Sequence, residues 1–114
     1  MKLEVTILEG GIRHAKLTGR MDLQGTNAVH EEFTLKLASS KDPVLIDLSG
    51  VDFLASLGLR TLLGTAKSVQ QRGGKTAILK PTALVREVLI TAGIDKVVPI
   101  HDDFESGCRA LGRD

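Results

Sequence analysis

Apolar and polar residues alternate at the start of the chain in a pattern that predicts a β-hairpin. Leu3, Val5 and Ile7 are separated by polar residues, the period of a strand that is covered on one face. A second strand is predicted at residues 12–17, after the turn residues Glu9, Gly10 and Gly11. Because so few residues separate the two strands, we expect them to pair antiparallel.

The rest of the chain alternates between helical and strand patterns. Apolar residues at helical spacing predict helices at residues 26–38, 56–72 and 81–92. Apolar runs bounded by turn residues predict strands at 44–48, 76–79 and 96–100, with a loop at 49–55 after the first of them. On the 81–92 helix, one apolar face is predicted from Leu84, Val85, Val88, Leu89 and Ala92.

A last helix completes a single predicted α/β domain over residues 1–114. Asp102 and Glu105 have the spacing of a capping box, and Phe104, Cys108 and Leu111 follow on one side. Strands that alternate with helices predict right-handed crossovers, and therefore a mixed, mostly parallel sheet with an N-terminal antiparallel hairpin and about four helices. Pro99 lacks an N–H group, so we expect its strand at an edge of the sheet.

Composition narrows the function classes. The 114 residues carry 15 Lys and Arg against 14 Asp and Glu, with three Phe and no Trp or Tyr, so neither a basic stripe nor a stacking platform for nucleic acid is expected. No apolar run approaches the roughly 18 residues that a membrane span needs, so membrane insertion is not expected. The single cysteine, Cys108, is expected to be buried, and a cytoplasmic protein is predicted.

One segment carries a recognisable motif. Residues 47–63 read Asp-Leu-Ser-Gly-Val-Asp-Phe-Leu-Ala-Ser-Leu-Gly-Leu-Arg-Thr-Leu-Leu, and residues 19–22 read Gly-Arg-Met-Asp. Both segments resemble the sulfate transporter and anti-sigma factor antagonist (STAS) domain in its stand-alone bacterial form, and the order of elements agrees over essentially the whole chain. The resemblance implies a regulator of sigma-factor-dependent transcription that binds an anti-sigma factor serine kinase.

The same resemblance implies a switch at Ser56. Phosphorylation of the matching serine breaks the complex in the family, and a dedicated serine phosphatase restores it. The residues agree with this role, because the first turn of a helix has unpartnered N–H groups that tolerate a phosphate. A plain helix cap at Ser56 is the structural alternative.

A partner surface is predicted around this serine, on the 52–57 loop and the exposed face of the following helix. Gly58 is expected to allow close approach of a partner backbone, and Arg60 is expected to be exposed. Asp22 is either part of this surface or the cap of the first long helix, and Asp47 is expected to hold the following loop through backbone N–H groups. The predicted partner-binding residues are Asp22, Asp52, Phe53, Leu54, Ala55, Leu57, Gly58 and Arg60.

Two departures from the family pattern keep other functions open. Ala55 replaces the usual Asp and Leu57 the usual Ser or Thr, so a non-phosphorylated scaffold subunit of a phospholipid-transport ABC complex is an alternative. A small nucleotide-binding enzyme is another, although Gly73-Gly74-Lys75-Thr76 lacks the spacing of a phosphate loop. No metal or cofactor is predicted, since His14, His30 and His101 lie on different predicted elements. The oligomeric state is left open.

Overall fold

Five strands form one mixed sheet in the order β1-β2-β3-β4-β5. The computed structural model describes residues 1–39 and 41–112, so Ser40, between the helix predicted at 26–38 and the strand predicted at 44–48, lies outside the described residues. β1 pairs antiparallel with β2, and the other neighbours are parallel, which confirms the predicted hairpin and fold class. The strands are β1 (Lys2–Ile7), β2 (Arg13–Met21), β3 (Val44–Leu54), β4 (Thr76–Leu79) and β5 (Ile100–His101).

Four α-helices cover the sheet. They are α1 (Leu23–Phe33), α2 (Ser56–Gln71), α3 (Ala83–Thr91) and α4 (Phe104–Ala110). A π-helical segment, Thr34–Ala38, continues α1, and a 3-10 turn, Ile94–Lys96, follows α3. No helix within residues 1–39 and 41–112 is long and apolar enough to span a membrane.

The two faces of the sheet carry separate apolar cores. Helices α1, α2 and α3 pack on one face, where Phe33, Leu62 and Leu89 meet strand residues such as Ile46. Helix α4 covers the other face, and Cys108 is buried there as predicted, at 2% exposure. Adjacent strand residues point to opposite faces, which explains why Ile78 belongs to the first core and Leu79 to the second.

The predicted loop at residues 49–55 is wrong, because β3 continues to Leu54. Ser49 and Gly50 resemble turn residues in the sequence, yet Gly50 pairs with Thr18 across a shift in the register between β2 and β3. A Cβ on Gly50 would come within 3.1 Å of the Leu17 carbonyl oxygen, so glycine permits this close approach. Residues 52–54 are therefore held in the sheet.

The ends of two other elements also differ from the prediction. Helix α1 begins at Leu23 rather than at residue 26, since Asp22 caps it. The strand predicted at 96–100 is reduced to Ile100–His101, at the expected edge of the sheet, because the 3-10 turn occupies 94–96.

Two predicted details of the later helices are wrong. Asp103 rather than Asp102 caps α4, and its carboxylate accepts a hydrogen bond from the Ser106 N–H. In α3 the buried residues are Val85 and Leu89, whereas Leu84 and Ala92 are exposed. The apolar face of this nine-residue helix is therefore narrower than its sequence indicates.

Candidate functional site

Two helices begin side by side where β2 and β3 end. Met21 and Leu54, the last residues of these strands, are partners in the sheet, and the Ala55 N–H donates to the Met21 carbonyl oxygen at 3.0 Å. This bond brings the start of α2 next to the start of α1. The surface formed there is called the tip, and it comprises Arg20, Asp22, Leu23, Asp52, Phe53, Ala55, Ser56 and Leu57.

Asp22 caps α1. Its Oδ1 atom accepts a hydrogen bond from the Gly25 N–H at 2.7 Å, which confirms the interpretation of Asp22 as a cap. This backbone hydrogen bond lowers the pKa of the Asp22 carboxyl group, and the Arg20 side chain lowers it further. The Asp22 side chain keeps 38% of its surface exposed, so a carboxylate that caps the helix also borders the tip.

Ser56 is the first residue of α2, and its side chain is exposed. The cap position itself is Ala55, whose methyl group accepts no hydrogen bond, so the alternative that Ser56 is the helix cap is wrong. The first turn of α2 has no acidic residue either. Its unpartnered N–H groups and the positive end of its dipole thus lie beside a free hydroxyl group.

Gly58 lets α2 pack closely against its own domain. It is buried, and a Cβ there would lie 2.7 Å from Leu54 Cδ1 and 3.1 Å from Met21 Cβ. The expectation that Gly58 gives a partner close access is thus replaced by an internal role. Leu54 is also buried, at 6% exposure, so both residues support the tip from beneath.

The other predicted partner-binding residues reach the surface to different degrees. Asp52 and Arg60 are exposed, whereas Phe53, Ala55 and Leu57 are half-buried. Arg60 lies on the first turns of α2, beyond the tip as defined above.

Two tip residues were not selected from the sequence, Arg20 and Leu23. The Arg20 guanidinium lies 4.3 Å from the centre of the Phe53 ring, and its Nε is 3.6 Å from Asp22 Oδ2. Leu23 is 64% exposed at the first position of α1. Arg20 could have been selected from the sequence, because it belongs to the Gly-Arg-Met-Asp segment that resembles the family motif. The exposure of Leu23 depends on the tertiary structure and has no such signal.

Comparison with known proteins identifies the family of this chain. The family model described as "Mlab, STAS domain" matches residues 13–99. This chain belongs to the STAS domain family. The STAS domain is 26% identical over 94 residues to an anti-sigma F factor antagonist of Paenibacillus polymyxa, a match that covers 82% of this chain and 80% of the relative.

Two further proteins resemble this STAS domain. An anti-sigma-F factor antagonist of Mycobacterium tuberculosis is 28% identical over 95 residues, which covers 82% of this chain and 77% of the relative. The crystal structure of an anti-sigma factor antagonist from Mycobacterium paratuberculosis superimposes with a TM-score of 0.86 at 22% identity, covering 98% of this chain and 94% of that one. At that identity the structural match shows the fold.

An apolar groove of the STAS domain lies between Leu59 of α2 and one side of α3. Its volume is about 360 Å³. Leu59, three residues after Ser56, lies on the α2 side, and Leu84, Val88 and Ala92 lie on the α3 side. The exposed positions of α3 that the sequence assigned to its buried face therefore line a groove.

Asp47 stabilises the middle of β3. Its Oδ1 accepts a hydrogen bond from the Ser49 N–H at 2.8 Å, so the predicted bond to the backbone is present, but within a strand rather than before a loop. His14 Nε2 lies 3.9 Å from Asp47 Oδ2, and burial lowers the pKa of His14.

Among the described residues of the STAS domain, no group of three or more His, Cys, Asp or Glu could hold a metal ion.

Proposed function

We propose that this STAS domain is a cytoplasmic anti-sigma factor antagonist that acts by binding rather than by catalysis. Its partner is an anti-sigma factor serine kinase, which docks on the tip and on the exposed side of α2. Phosphorylation of Ser56 releases the partner, and a serine phosphatase restores binding. The observation that carries this proposal is the exposed Ser56 hydroxyl group at the first position of an uncapped helix.

The tip offers both apolar and charged groups to a partner. Leu23 is 64% exposed, Phe53 and Leu57 are half-buried, and Arg20 lies against the Phe53 ring. Aromatic and arginine side chains contribute strongly to protein interfaces. The groove between α2 and α3 offers a second apolar surface.

A phosphate on Ser56 would change the charge of the tip without unfolding it. It adds a charge of about −1.5 to −2 at neutral pH beside the positive end of the α2 dipole, where negative charge is stabilised. The same charge repels an acidic partner group and is costly to bury in an apolar interface. Release of the partner thus requires no movement of the strands beneath.

Mass spectrometry tests the modification. The protein is incubated with ATP and the ATP-binding serine kinase encoded near its gene, and we expect a mass increase of one phosphate. Ser56→Ala should abolish the increase in mass. Ser49→Ala removes a different exposed serine, on β3, and should leave the increase unchanged. An unchanged mass with a kinase that phosphorylates another antagonist would contradict the switch.

Binding measurements test the docking surface separately. We expect Leu57→Asp to weaken binding to the same kinase at least about tenfold, because it buries a carboxylate in the interface. Lys75→Ala removes an exposed side chain just before β4, beside the start of β3 and away from the tip, and should leave the affinity within about twofold. Equal affinities for the two variants would move the interface away from the tip.

A scaffold subunit of a phospholipid-transport ABC complex is the second candidate. The observation that favours it is Ala55, which gives the start of α2 no carboxylate for recognition by a kinase. This function predicts co-purification with an ABC ATPase and no loss of binding in Ser56→Asp. Release of the partner by Ser56→Asp would exclude it.

A further inference from the structure

In the part of the chain that the structure describes, strand β1 leaves one long edge of the sheet unpaired. It is first in the strand order, so it has a neighbour on one side only, and its register with β2 runs from Lys2 to Ile7 without a shift. The strand sequence, Lys-Leu-Glu-Val-Thr-Ile, contains no proline. Soluble proteins protect such an edge with a proline, a bulge, an inward-pointing charge or charged side chains along the strand, and of these β1 has only the charged residues Lys2 and Glu4. Leu3 and Val5 pack against the first core, and Ile7, which follows them on the same face of the strand, is mostly exposed.

The backbone of these apolar residues points outward along the edge. The Leu8 N–H donates to the Ile12 carbonyl oxygen at 2.8 Å, so the even-numbered residues of β1 direct their N–H and C=O groups toward β2. The odd-numbered residues alternate with them and direct these groups to the open side. The edge thus presents donors and acceptors from Leu3, Val5 and Ile7 to another strand.

One strongly exposed apolar side chain lies at the end of this edge, and Arg13 links its position to a second one. Ile7 is 63% exposed and Leu35, in the segment that continues α1, is 65% exposed. Arg13 connects them, because it is the sheet partner of Ile7 and its Nη1 donates to the Lys36 carbonyl oxygen at 2.8 Å. An unpaired backbone and an apolar corner therefore occur on the same flank of the domain.

We propose that β1 pairs antiparallel with β1 of a second copy of this chain, with Val5 opposite Val5 across a two-fold axis. Leu3 of each copy then faces Ile7 of the other, and each facing pair of odd-numbered residues exchanges two backbone hydrogen bonds. Glu4 faces Thr6, so no like charges meet. Lys2, the charge that could protect the edge, lies outside the paired segment 3–7.

Registers shifted toward the start of β1 are less favourable. Shifting the pairing by one step toward the start of β1 places Glu4 directly opposite Glu4, and facing like charges destabilise a strand pair. A second step pairs Lys2 with Glu4 but leaves the exposed Ile7 without a partner. The register centred on Val5 covers Ile7 and avoids repulsion between carboxylates.

The dimer leaves the tip free. An antiparallel pair reverses the second copy, so the two Ser56 side chains lie toward opposite ends of a continuous sheet of two domains. Dimerisation is independent of the proposed function, since it uses neither the tip nor the groove.

Sedimentation equilibrium of the full chain tests the dimer. We expect a monomer–dimer equilibrium whose dissociation constant rises at least about tenfold in Ile7→Lys, because this change puts a charge against Leu3 of the other copy. Ile90→Lys is the matched control: Ile90 is 50% exposed on α3, and its substitution should leave the dissociation constant unchanged. A wild-type protein that is monomeric up to about 1 mM, or a dimer disrupted equally by both variants, would overturn the proposal.

Val5→Pro provides a second test. Because the Val5 N–H points to the open side, proline removes a donor to the second copy without removing a β1–β2 hydrogen bond. We expect a folded monomer, with circular dichroism like that of the wild type. A folded variant that dimerises as the wild type does would contradict pairing through this edge.

Discussion

Helices α1 and α2 begin side by side, yet their first turns are completed in different ways. At α1 the Asp22 carboxylate accepts a hydrogen bond from the Gly25 N–H, so a negative charge of the protein already occupies that end. At α2 the corresponding residue is Ala55, which accepts no bond with its side chain. The comparison shows where an added charge can be received: the start of α1 is satisfied internally, and the start of α2 is left for Ser56.

The first turn of each helix contains a buried glycine, Gly25 in α1 and Gly58 in α2. Replacing these glycines by alanine should give the largest difference in stability between the two helix starts. In Gly25→Ala the added Cβ would overlap the Arg20 carbonyl oxygen, a backbone atom, so we expect a loss of about 3 kcal/mol in the free energy of unfolding. In Gly58→Ala the nearest atom is a methyl group of Leu54, which can rotate away, so we expect a loss of about 1 kcal/mol. Urea unfolding measures both.

Gly64→Ala is the control for these two variants. A Cβ on Gly64 meets no atom within 4 Å, and alanine favours a helix over glycine, so we expect a gain of up to about 1 kcal/mol. Equal losses in Gly25→Ala and Gly58→Ala would mean that the two starts are equally rigid.

Substitutions at the two cap positions should change the melting temperature in opposite directions. Asp22→Ala removes the acceptor for the Gly25 N–H, so we expect the melting temperature to fall by about 4–8 °C. Ala55→Ser supplies an acceptor that α2 lacks, so we expect a rise of a few degrees. Calorimetry at neutral pH measures both changes, and a fall in Ala55→Ser would show that the start of α2 is satisfied in another way.

Helices and strands with a local apolar pattern can be predicted from the sequence. The prediction fails for features that depend on contacts between residues far apart in the chain. The apolar stripe of α2 and the run in β4 need no partner to be recognised, and both were predicted closely. The extension of β3 past Gly50 depends on a register shift against β2, which no local pattern reveals. The serine was found through its motif, whereas the internal role of Gly58 follows from its contacts with Met21 and Leu54.

A negative charge at Ser56 should stabilise the isolated domain slightly. Ser56→Asp places a carboxylate at the uncapped start of α2, so we expect the free energy of unfolding to rise by about 0.3–1 kcal/mol at low salt. Added salt should reduce the gain in the free energy of unfolding of Ser56→Asp. Ser56→Asn introduces a side chain shaped like that of Asp but without its charge, so its free energy of unfolding should not decrease with salt in the same way. Loss of stability in Ser56→Asp would argue against an open anion-tolerant end at α2.

The smallest expected effect separates the charge of the Asp22 cap from its hydrogen bond. Asp22→Asn keeps an oxygen acceptor for the Gly25 N–H but loses the charge. Since the folded state lowers the pKa of Asp22, its charge stabilises the protein above the ordinary carboxyl pKa, and this stability is lost as the pH falls through the lowered value. Wild type should therefore exceed Asp22→Asn slightly in urea midpoint at pH 7, and the difference should shrink below about pH 4. A difference that persists at pH 2 would instead assign the advantage to the geometry of the carboxylate, and the contrast between the two helix starts would then rest on shape rather than charge.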